Sequence, residues 1–159
     1  MEDVYSIPLA QLCKEFSLEI VYAPDTFEDI MITTPEISRP GLALAGFFEV
    51  FDAARIQIIG YAERRYLESL PPEQRRQRIL DYINAQPIAV VFSTKGEVFE
   101  DMMKAAIDKG VPLLRSSDAR ITGLRTSSGF HRGLLQPSAE RRISVLLLSS
   151  SLLLRERAR

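Results

Sequence analysis

Apolar residues recur along this chain at two different spacings, and the spacing separates helices from strands. In "PLAQLCKEF" the apolar positions fall at i, i+3, i+4 and i+7, which is typical of an amphipathic helix with one buried face. The same helical spacing is found in "YAERRYLESL", "PEQRRQRILDYINA" and "EVFEDMMKAAIDK". Short apolar or β-branched runs, bounded by Pro or Gly, predict strands in "LEIVYA", "DIMITTPEI", "RIQIIG", "PIAVVFS" and "VPLLRSS".

The order of these elements indicates the fold class. "PIAVVFS" is a continuous apolar run, as expected for a strand that is buried on both faces. A helix that ends at Gly110 follows it, and then the strand "VPLLRSS". Strand, helix and strand in so short a span form a βαβ unit, whose two strands run parallel. We therefore predict an α/β fold, with a mixed or mostly parallel sheet flanked by helices.

The stretch "RPGLALAGFFEVF", residues 39–51, has a more ambiguous pattern. Pro40 forces the preceding residue out of the helical region, so this stretch begins with a tight corner. From Leu42 onward the apolar spacing predicts a helix whose aromatic residues face a core, with Gly46 allowing a close approach of another backbone. A ligand-binding loop is the alternative interpretation. The predicted structural or interface positions are Arg39, Pro40, Gly41, Gly46, Phe47 and Phe48.

The charge distribution predicts a boundary after Asp118. The net charge of the chain is −1, but residues 1–118 hold 12 basic and 19 acidic side chains, whereas residues 119–159 hold 8 and 2. We therefore assign residues 1–118 to an α/β domain and residues 119–159 to a basic tail that is poorly structured or non-native. The acidic domain lacks the wide basic field of a nucleic-acid surface, and no apolar run is long enough to span a membrane.

Few residues suggest chemistry. Ser93, Thr94, Lys95 and Gly96 follow a strand and precede a helix, where α/β folds bind anions, although an ordinary turn is the favoured interpretation. No Walker A or dinucleotide-binding loop occurs in the sequence. One cysteine and one histidine, Cys13 and His131, make a transition-metal site untenable. Cys13 lies in a helical pattern and is predicted to be a buried thiol, which favours a reducing, cytoplasmic setting. We predict no catalytic, cofactor-binding or metal-binding residue in residues 1–118.

Two segments, "SRPGLALAGFF" and "RIQIIGYAERRYLESL", closely resemble the amino-terminal domain of HPr kinase/phosphorylase, and the resemblance extends over residues 4–117. It implies a fold similar to a domain of the Mur ligases. The full-length family is a cytoplasmic hexamer that uses ATP or pyrophosphate with Mg²⁺ to phosphorylate a serine of HPr, and that also reverses the reaction, in carbon catabolite regulation. Its catalytic domain is built on a Walker A loop, so the resemblance implies an accessory domain that is inactive alone, with HPr and other copies of itself as partners.

The tail departs from the family pattern. Arg, Ser and Leu make up 24 of residues 119–159, the composition that an out-of-frame reading of GC-rich DNA would give. A basic amphipathic tail that binds a partner or a membrane surface is the rival interpretation. We favour the out-of-frame or truncated product, because "VLLLSSSLLLRER" lacks clean helical periodicity. For the whole chain, the alternative to an accessory kinase domain is a free-standing, non-catalytic binding module for a small ligand or a protein.

Overall fold

The computed structural model describes residues 6–116, and it has an α/β architecture, as the sequence predicts. This part of the chain has five helices and seven strands, with a 3₁₀ turn at Phe27–Asp29. The helices are α1 (Leu9–Glu15), α2 (Gly41–Leu44), α3 (Tyr61–Ser69), α4 (Pro72–Asn84) and α5 (Glu100–Lys109). The strands are β1 (Ile7–Pro8), β2 (Leu18–Tyr22), β3 (Met31–Ile32), β4 (Ile37–Ser38), β5 (Ile56–Ile59), β6 (Val90–Phe92) and β7 (Leu113–Ser116).

Five strands form one mixed sheet in the order β2-β7-β6-β5-β4. β4, β5, β6 and β7 run parallel to one another, and β2 is antiparallel to β7. The predicted βαβ unit is confirmed, because α5 connects the neighbouring parallel strands β6 and β7. β1 and β3 form a separate antiparallel pair.

The sheet is buried on both faces, which explains why β6 is a continuous apolar run and why Gln57 is the one polar residue of β5. Ile58 and Val91 belong to an apolar cluster that also contains α1 residues. Ile59 and Phe92 belong to a second cluster, which contains residues of α2, α3, α4 and α5. Neighbouring side chains of a strand point to opposite faces, so α1 covers one face of the sheet and the other four helices cover the opposite face.

The strand predicted in "DIMITTPEI" is expected to end at Pro35, and in the structure this segment forms two short strands, one before and one after Pro35. It contributes Met31–Ile32 to the small antiparallel pair and Ile37–Ser38 to the edge of the large sheet. Between them, Pro35 has no backbone N–H to donate, and the backbone N–H of Glu36 bonds to Thr34 Oγ1 at 3.2 Å instead of to a neighbouring strand. The break therefore has a local cause.

The helix predicted over residues 42–51 is much shorter in the structure. α2 ends at Leu44, and the aromatic residues that follow lie outside any helix. By contrast, α5 ends at Gly110 as predicted, where φ is +69°, although it begins at Glu100, three residues after the start of the pattern "EVFEDMMKAAIDK". Ile107, which the helical pattern placed on the buried stripe of α5, is 54% exposed. None of the helices described between residues 6 and 116 is long and apolar enough to cross a membrane.

Candidate functional site

An ion pair fixes the corner between β4 and α2. Arg39 follows β4, and its Nη2 lies 3.1 Å from Oε2 of Glu63, in the first turn of α3. The two side chains are only 11% and 7% exposed. The same Glu63 oxygen accepts a hydrogen bond of 2.9 Å from the backbone N–H of Gly60. Glu63 therefore caps the start of α3 and, at the same time, holds the corner that leads into α2.

Position 60 has little room for a side chain, because the Arg39 side chain occupies the space beside the Gly60 backbone. A Cβ atom at Gly60 would overlap Nη2 of Arg39. Gly60 directly follows β5, and Arg39 directly follows the neighbouring parallel strand β4. The corner predicted at residues 39–41 thus contacts the next strand of the sheet through the Arg39 side chain, which fills the space that a side chain at Gly60 would need.

Gly46 ends α2. The backbone N–H of Gly46 bonds to the carbonyl of Ala43, and that of Phe47 bonds to the carbonyl of Leu42, both at 2.9 Å. This is the Schellman arrangement, in which a glycine with positive φ terminates a helix. The φ of Gly46 is +98°, and a Cβ atom there would overlap the Arg78 guanidinium. The sequence predicts that another backbone approaches Gly46, whereas in the structure the approaching group is the Arg78 side chain of α4.

The aromatic residues after Gly46 divide into two groups. Phe48 and Phe51 are half-buried and pack against the second apolar cluster. Their rings meet edge to face with centroids 5.9 Å apart, and Phe51 meets Tyr82 of α4 in the same way at 5.9 Å. Phe47 is 44% exposed, so it is not a core residue, and the interface role that was predicted as the alternative stays a prediction. The helical spacing predicted that Phe47 and Phe48 lie on the same face of a helix. Because α2 ends at Leu44, neither residue is helical and they need not share a face.

A cleft of about 200 Å³ lies between the edge of the sheet and the segment after α2. Its polar lining comes from Ser38, Arg39, Asp52 and Gln57. Asp52 Oδ1 accepts a hydrogen bond from the backbone N–H of Ala54, so the turn before β5 holds this carboxylate in place. The wall of the cleft that is nearest the sheet therefore carries polar groups in fixed positions.

The remaining wall of the cleft is apolar and extends to the surface. Phe51 lies on the half-buried side, whereas Leu42, Phe47 and Val50 are exposed. In the Schellman arrangement, an apolar contact between the residues at the positions of Leu42 and Phe47 is a frequent companion of the hydrogen bonds. Four of the predicted structural or interface positions, residues 39–41 and 46, therefore build the corner and the helix end beside this cleft, and Phe47 lines it.

The segment Ser93–Gly96 lies elsewhere, after β6. Ser93 is buried and its Oγ donates a hydrogen bond of 3.4 Å to the carbonyl of Ile59, whereas Lys95 and Gly96 are exposed. Arg115 Nη2 donates a hydrogen bond of 3.1 Å to the Gly96 carbonyl. The anion site at these residues stays a prediction. Three residues separate Gly96 from the start of α5. The first turn of α5 also carries two carboxylates, whose negative charge disfavours the binding of a phosphate at this helix start.

Cys13 is buried, as predicted, and its burial raises the pKa of the thiol to about 11. His131 and the predicted tail of residues 119–159 lie outside the described residues. Among the described residues, no group of three or more His, Cys, Asp or Glu side chains is placed to hold a metal ion.

Sequence reasoning missed Glu63 and Gln57. A signal was available for each of them. Glu63 stands three residues after a helix-starting glycine, which is the spacing of a capping box. Gln57 is the one polar residue in the apolar run "IQII", and a buried polar side chain in such a run points to a specific hydrogen-bonding role.

Comparison with known proteins agrees with the family resemblance seen in the sequence. The family described as HPr Serine kinase N terminus matches residues 7–126, so the match continues past the boundary predicted at Asp118. An HPr kinase/phosphorylase of Clostridium perfringens (strain SM101) is 34% identical over 110 residues, which are 69% of this chain and 35% of that protein. Proteins of the same name from Streptococcus uberis and Caldicellulosiruptor bescii are 34% and 33% identical over 120 and 133 residues, which cover 74% and 84% of this chain. The matches span 39% and 43% of those two proteins, so this chain corresponds to less than half the length of these relatives.

Proposed function

Because this chain belongs to the family of the HPr serine kinase amino-terminal domain, we propose that it is the accessory, non-catalytic domain of an HPr kinase/phosphorylase. The observation that carries the proposal is the family match over residues 7–126, which includes all the described elements. The sequence contains no loop with the glycine spacing, lysine and serine or threonine that cradle phosphates in P-loop enzymes. The domain therefore contributes structure or binding, and the phosphoryl transfer belongs to another domain.

The proposal extends to the setting in which such a domain works. The relatives carry the name HPr kinase/phosphorylase, so HPr is the proposed substrate of the complete protein. ATP or pyrophosphate with Mg²⁺, assembly into a hexamer, a cytoplasmic location and a role in carbon catabolite regulation are proposed with it, as the family resemblance implies. We assign no Mg²⁺ ligand to residues 6–116, and the Mg²⁺ of the proposed reaction is taken to act in the catalytic domain of the complete protein.

The geometry supports a positioning role for the region around Arg39. The buried ion pair, the capped start of α3 and the Schellman end of α2 hold the cleft and its apolar rim in one arrangement. A rigid surface of this kind suits contact with another domain or protein, and the one carboxylate in the cleft, Asp52, is already bonded to the backbone N–H of Ala54 and to Arg55. The same surface supports the alternative, a free-standing binding module.

A phosphoryl-transfer assay tests the non-catalytic role. The purified chain is incubated with HPr, Mg²⁺ and radiolabelled ATP, with a full-length HPr kinase/phosphorylase of Clostridium perfringens as the positive control. We expect no label on HPr above the level without enzyme, while the control labels it. Serine phosphorylation that depends on the added chain and increases with its concentration would contradict the proposal.

The genomic DNA distinguishes the accessory domain from the free-standing module. If this chain is a part of a kinase/phosphorylase, the DNA around and beyond the codon of Asp118 encodes a Walker A loop in one of its three forward frames. We expect that loop to be found. Its absence from all three frames would favour the free-standing binding module.

A further inference from the structure

Two arginine side chains from different helices lie against the same aromatic ring. Arg64 of α3 and Arg75 of α4 place their Cζ atoms 5.2 Å and 5.4 Å from the centroid of the Phe99 ring. A third arginine, Arg115 of β7, donates a hydrogen bond of 3.1 Å to the carbonyl of Gly96. A Cβ atom at Gly96 would lie only 2.9 Å from Cζ of Arg64. Three guanidinium groups, which we call the arginine cluster, therefore meet at the segment between β6 and α5.

The described residues neutralise the three charges of the arginine cluster unequally. Arg64 pairs with Glu68 at 2.9 Å, and Arg115 lies 3.6 Å from the exposed Glu19. The Arg75 side chain forms no ion pair or hydrogen bond with any residue between 6 and 116. A partly buried cation without an anionic partner is unfavourable, because it loses water and gains no opposite charge in exchange. The positive charge of Arg75 is therefore left unbalanced in this part of the chain.

The unpaired donors of the cluster can be reached from solvent. In Arg75, Nε is buried, whereas Nη1 and Nη2 are not buried and have no acceptor among the described residues. In Arg64, Nε and Nη1 donate to Glu68 and to the carbonyl of Glu97, which leaves Nη2 available. The side chains of Arg64 and Arg115 are 24% and 27% exposed. The Nη groups of Arg75 and Nη2 of Arg64 are therefore donors that a ligand can contact.

The acidic side chains near the start of α5 do not supply the missing anion. Glu100 pairs with Lys104 at 2.7 Å. Glu97 and Asp101 form no ion pair with a residue of the described part of the chain. These carboxylates weaken the positive potential around the cluster without contacting it. An anion bound here is held by arginine side chains of α3 and α4 and not by the start of α5.

From these contacts we propose that the arginine cluster binds the phosphate group of a small molecule, with the Nη groups of Arg75 and Nη2 of Arg64 as donors. Guanidinium groups match phosphate oxygens in geometry and stay protonated at neutral pH. A dianionic phosphate supplies more of the missing charge than a singly charged carboxylate does. The three arginine side chains are mostly covered, so a small anion reaches them more readily than a phosphate on a protein surface does. The inference holds whether the domain works as part of a kinase or alone.

The test is a titration of the complete 159-residue chain, labelled with ¹⁵N, at about pH 7.5, where a phosphate ester is largely dianionic. Inorganic phosphate is added at constant ionic strength, because salt screens exposed charges. We expect the amide signals of Gly96, Glu97 and Phe99 to shift in a saturable way. Acetate, the singly charged control, should give no saturable shift over the same range. Glycerol 3-phosphate is titrated in parallel: equal affinity identifies the phosphate group alone as the ligand, and tighter binding identifies a phosphate ester.

Matched variants assign the binding to its groups. Arg75→Gln should weaken phosphate binding at least about 10-fold, near the lower end for a charged hydrogen bond. Arg76→Gln removes the same charge from an exposed side chain at the next position of α4, and it should change the affinity by less than about 2-fold, because solvent screens that charge. Glu97→Gln removes an opposing charge from an exposed position and should tighten binding.

Several results would overturn the proposal. These are the absence of a saturable shift, shifts that lie away from the segment between β6 and α5, equal binding of acetate, and equal losses for Arg75→Gln and Arg76→Gln, which would indicate a diffuse attraction to surface charge. Circular dichroism checks that each variant is folded. If Arg75→Gln is unfolded, Arg64→Gln removes the second donor and carries the same expectation. The phosphoryl-transfer assay does not measure this binding, so the two proposals fail separately.

Discussion

At the scale of single residues, the pair of Arg39 and Glu63 is the contact on which the corner depends most. Both side chains are largely buried, so removing one charge leaves the other without compensation in a poorly solvated place. We expect Glu63→Gln to lower the free energy of unfolding by about 3–5 kcal/mol, although the amide keeps the shape and an acceptor for Gly60. Urea denaturation followed by circular dichroism measures the change.

Glu68 provides a matched control on the same helix. It also pairs with arginines, Arg64 and Arg65, but at the surface, where solvent screens the charges. Glu68→Gln should therefore cost less than about 1 kcal/mol. Equal losses for Glu63→Gln and Glu68→Gln would show that burial does not set the importance of the Arg39 pair.

Cys13 gives a prediction that depends on pH. Burial raises the pKa of its thiol from 9.0 to about 11, so at pH 8 about one molecule in a thousand carries a thiolate, against about one in ten for an exposed thiol. The chain has one cysteine, so the reaction with Ellman's reagent reports on Cys13 alone. We expect slow labelling of the folded chain at pH 8 and rapid labelling in guanidinium chloride. Equally rapid labelling in both conditions would contradict the buried, neutral thiol.

The same pKa shift predicts how stability changes in alkali. The folded thiol keeps its proton up to about pH 11, whereas the unfolded thiol loses it near pH 9.0. Above pH 9 the unfolded state therefore binds fewer protons than the folded state, and stability falls as pH rises. Cys13→Ala should remove this part of the decline between pH 9 and 11, measured by urea denaturation at several pH values. An unchanged slope in the variant would contradict the assignment.

At the scale of elements, the end of α2 decides where the aromatic residues lie. Gly46 has a φ of +98°, and a side chain there would also displace Arg78. We expect Gly46→Ala to destabilise the protein by about 1–2 kcal/mol for the backbone alone, with a further cost for moving the guanidinium. Gly41→Ala is the control, because its Cβ would lie 3.9 Å from Glu63 Oε1, an ordinary contact. Thermal melts of both variants test this, and a Gly41→Ala loss as large as that of Gly46→Ala would refute it.

The elements also show how far the sequence could predict the fold. β6 and the βαβ unit were predictable because burial on both faces of the sheet leaves a continuous apolar run, which is a local signal, and β5 was predictable because its run is apolar and β-branched apart from Gln57. The helix over residues 42–51 was predicted wrongly because apolar spacing was given more weight than Gly46, although a glycine after the last periodic residue is itself a stop signal. The spacing of the aromatic residues fits both a helix that continues to residue 51 and a helix that ends before Gly46. Only the positive φ of Gly46 distinguishes the two.

The cleft could be predicted only in part, since its polar groups come from distant parts of the chain. Arg39 and Glu63 are 24 residues apart, and no local pattern in either segment identifies the other as its partner. Gln57 is held by carbonyl groups of the preceding turn, and the conformation of that turn is not evident from its sequence. The corner and its glycines could be predicted from the sequence. The cleft beside them could not, because it forms only when these separate segments are brought together by folding.

At the scale of the whole molecule, the carboxyl ends of the parallel strands share one edge of the sheet. Arg39 follows β4, Gly60 follows β5 and Ser93 follows β6 at this edge. β7 is parallel to them, so the described part of the chain also ends there, at Ser116. In the sheet, β7 lies two strands away from β5 and three strands away from β4, so the end of the described chain shares this edge with the Arg39 corner without adjoining it.

The two apolar clusters predict that the domain is stable by itself. Their members lie between Ile7 and Leu114, and they cover both faces of the five-stranded sheet. We therefore expect a shortened chain of residues 1–118 to unfold in one cooperative transition, with a urea midpoint close to that of the complete chain, because residues in one packed core lose their contacts together. Far-UV circular dichroism and the fluorescence of the tyrosines should give coincident curves. If the shortened chain has no cooperative transition while the complete chain does, residues 119–159 are an integral part of the fold, and both the boundary at Asp118 and the out-of-frame interpretation of the tail are wrong.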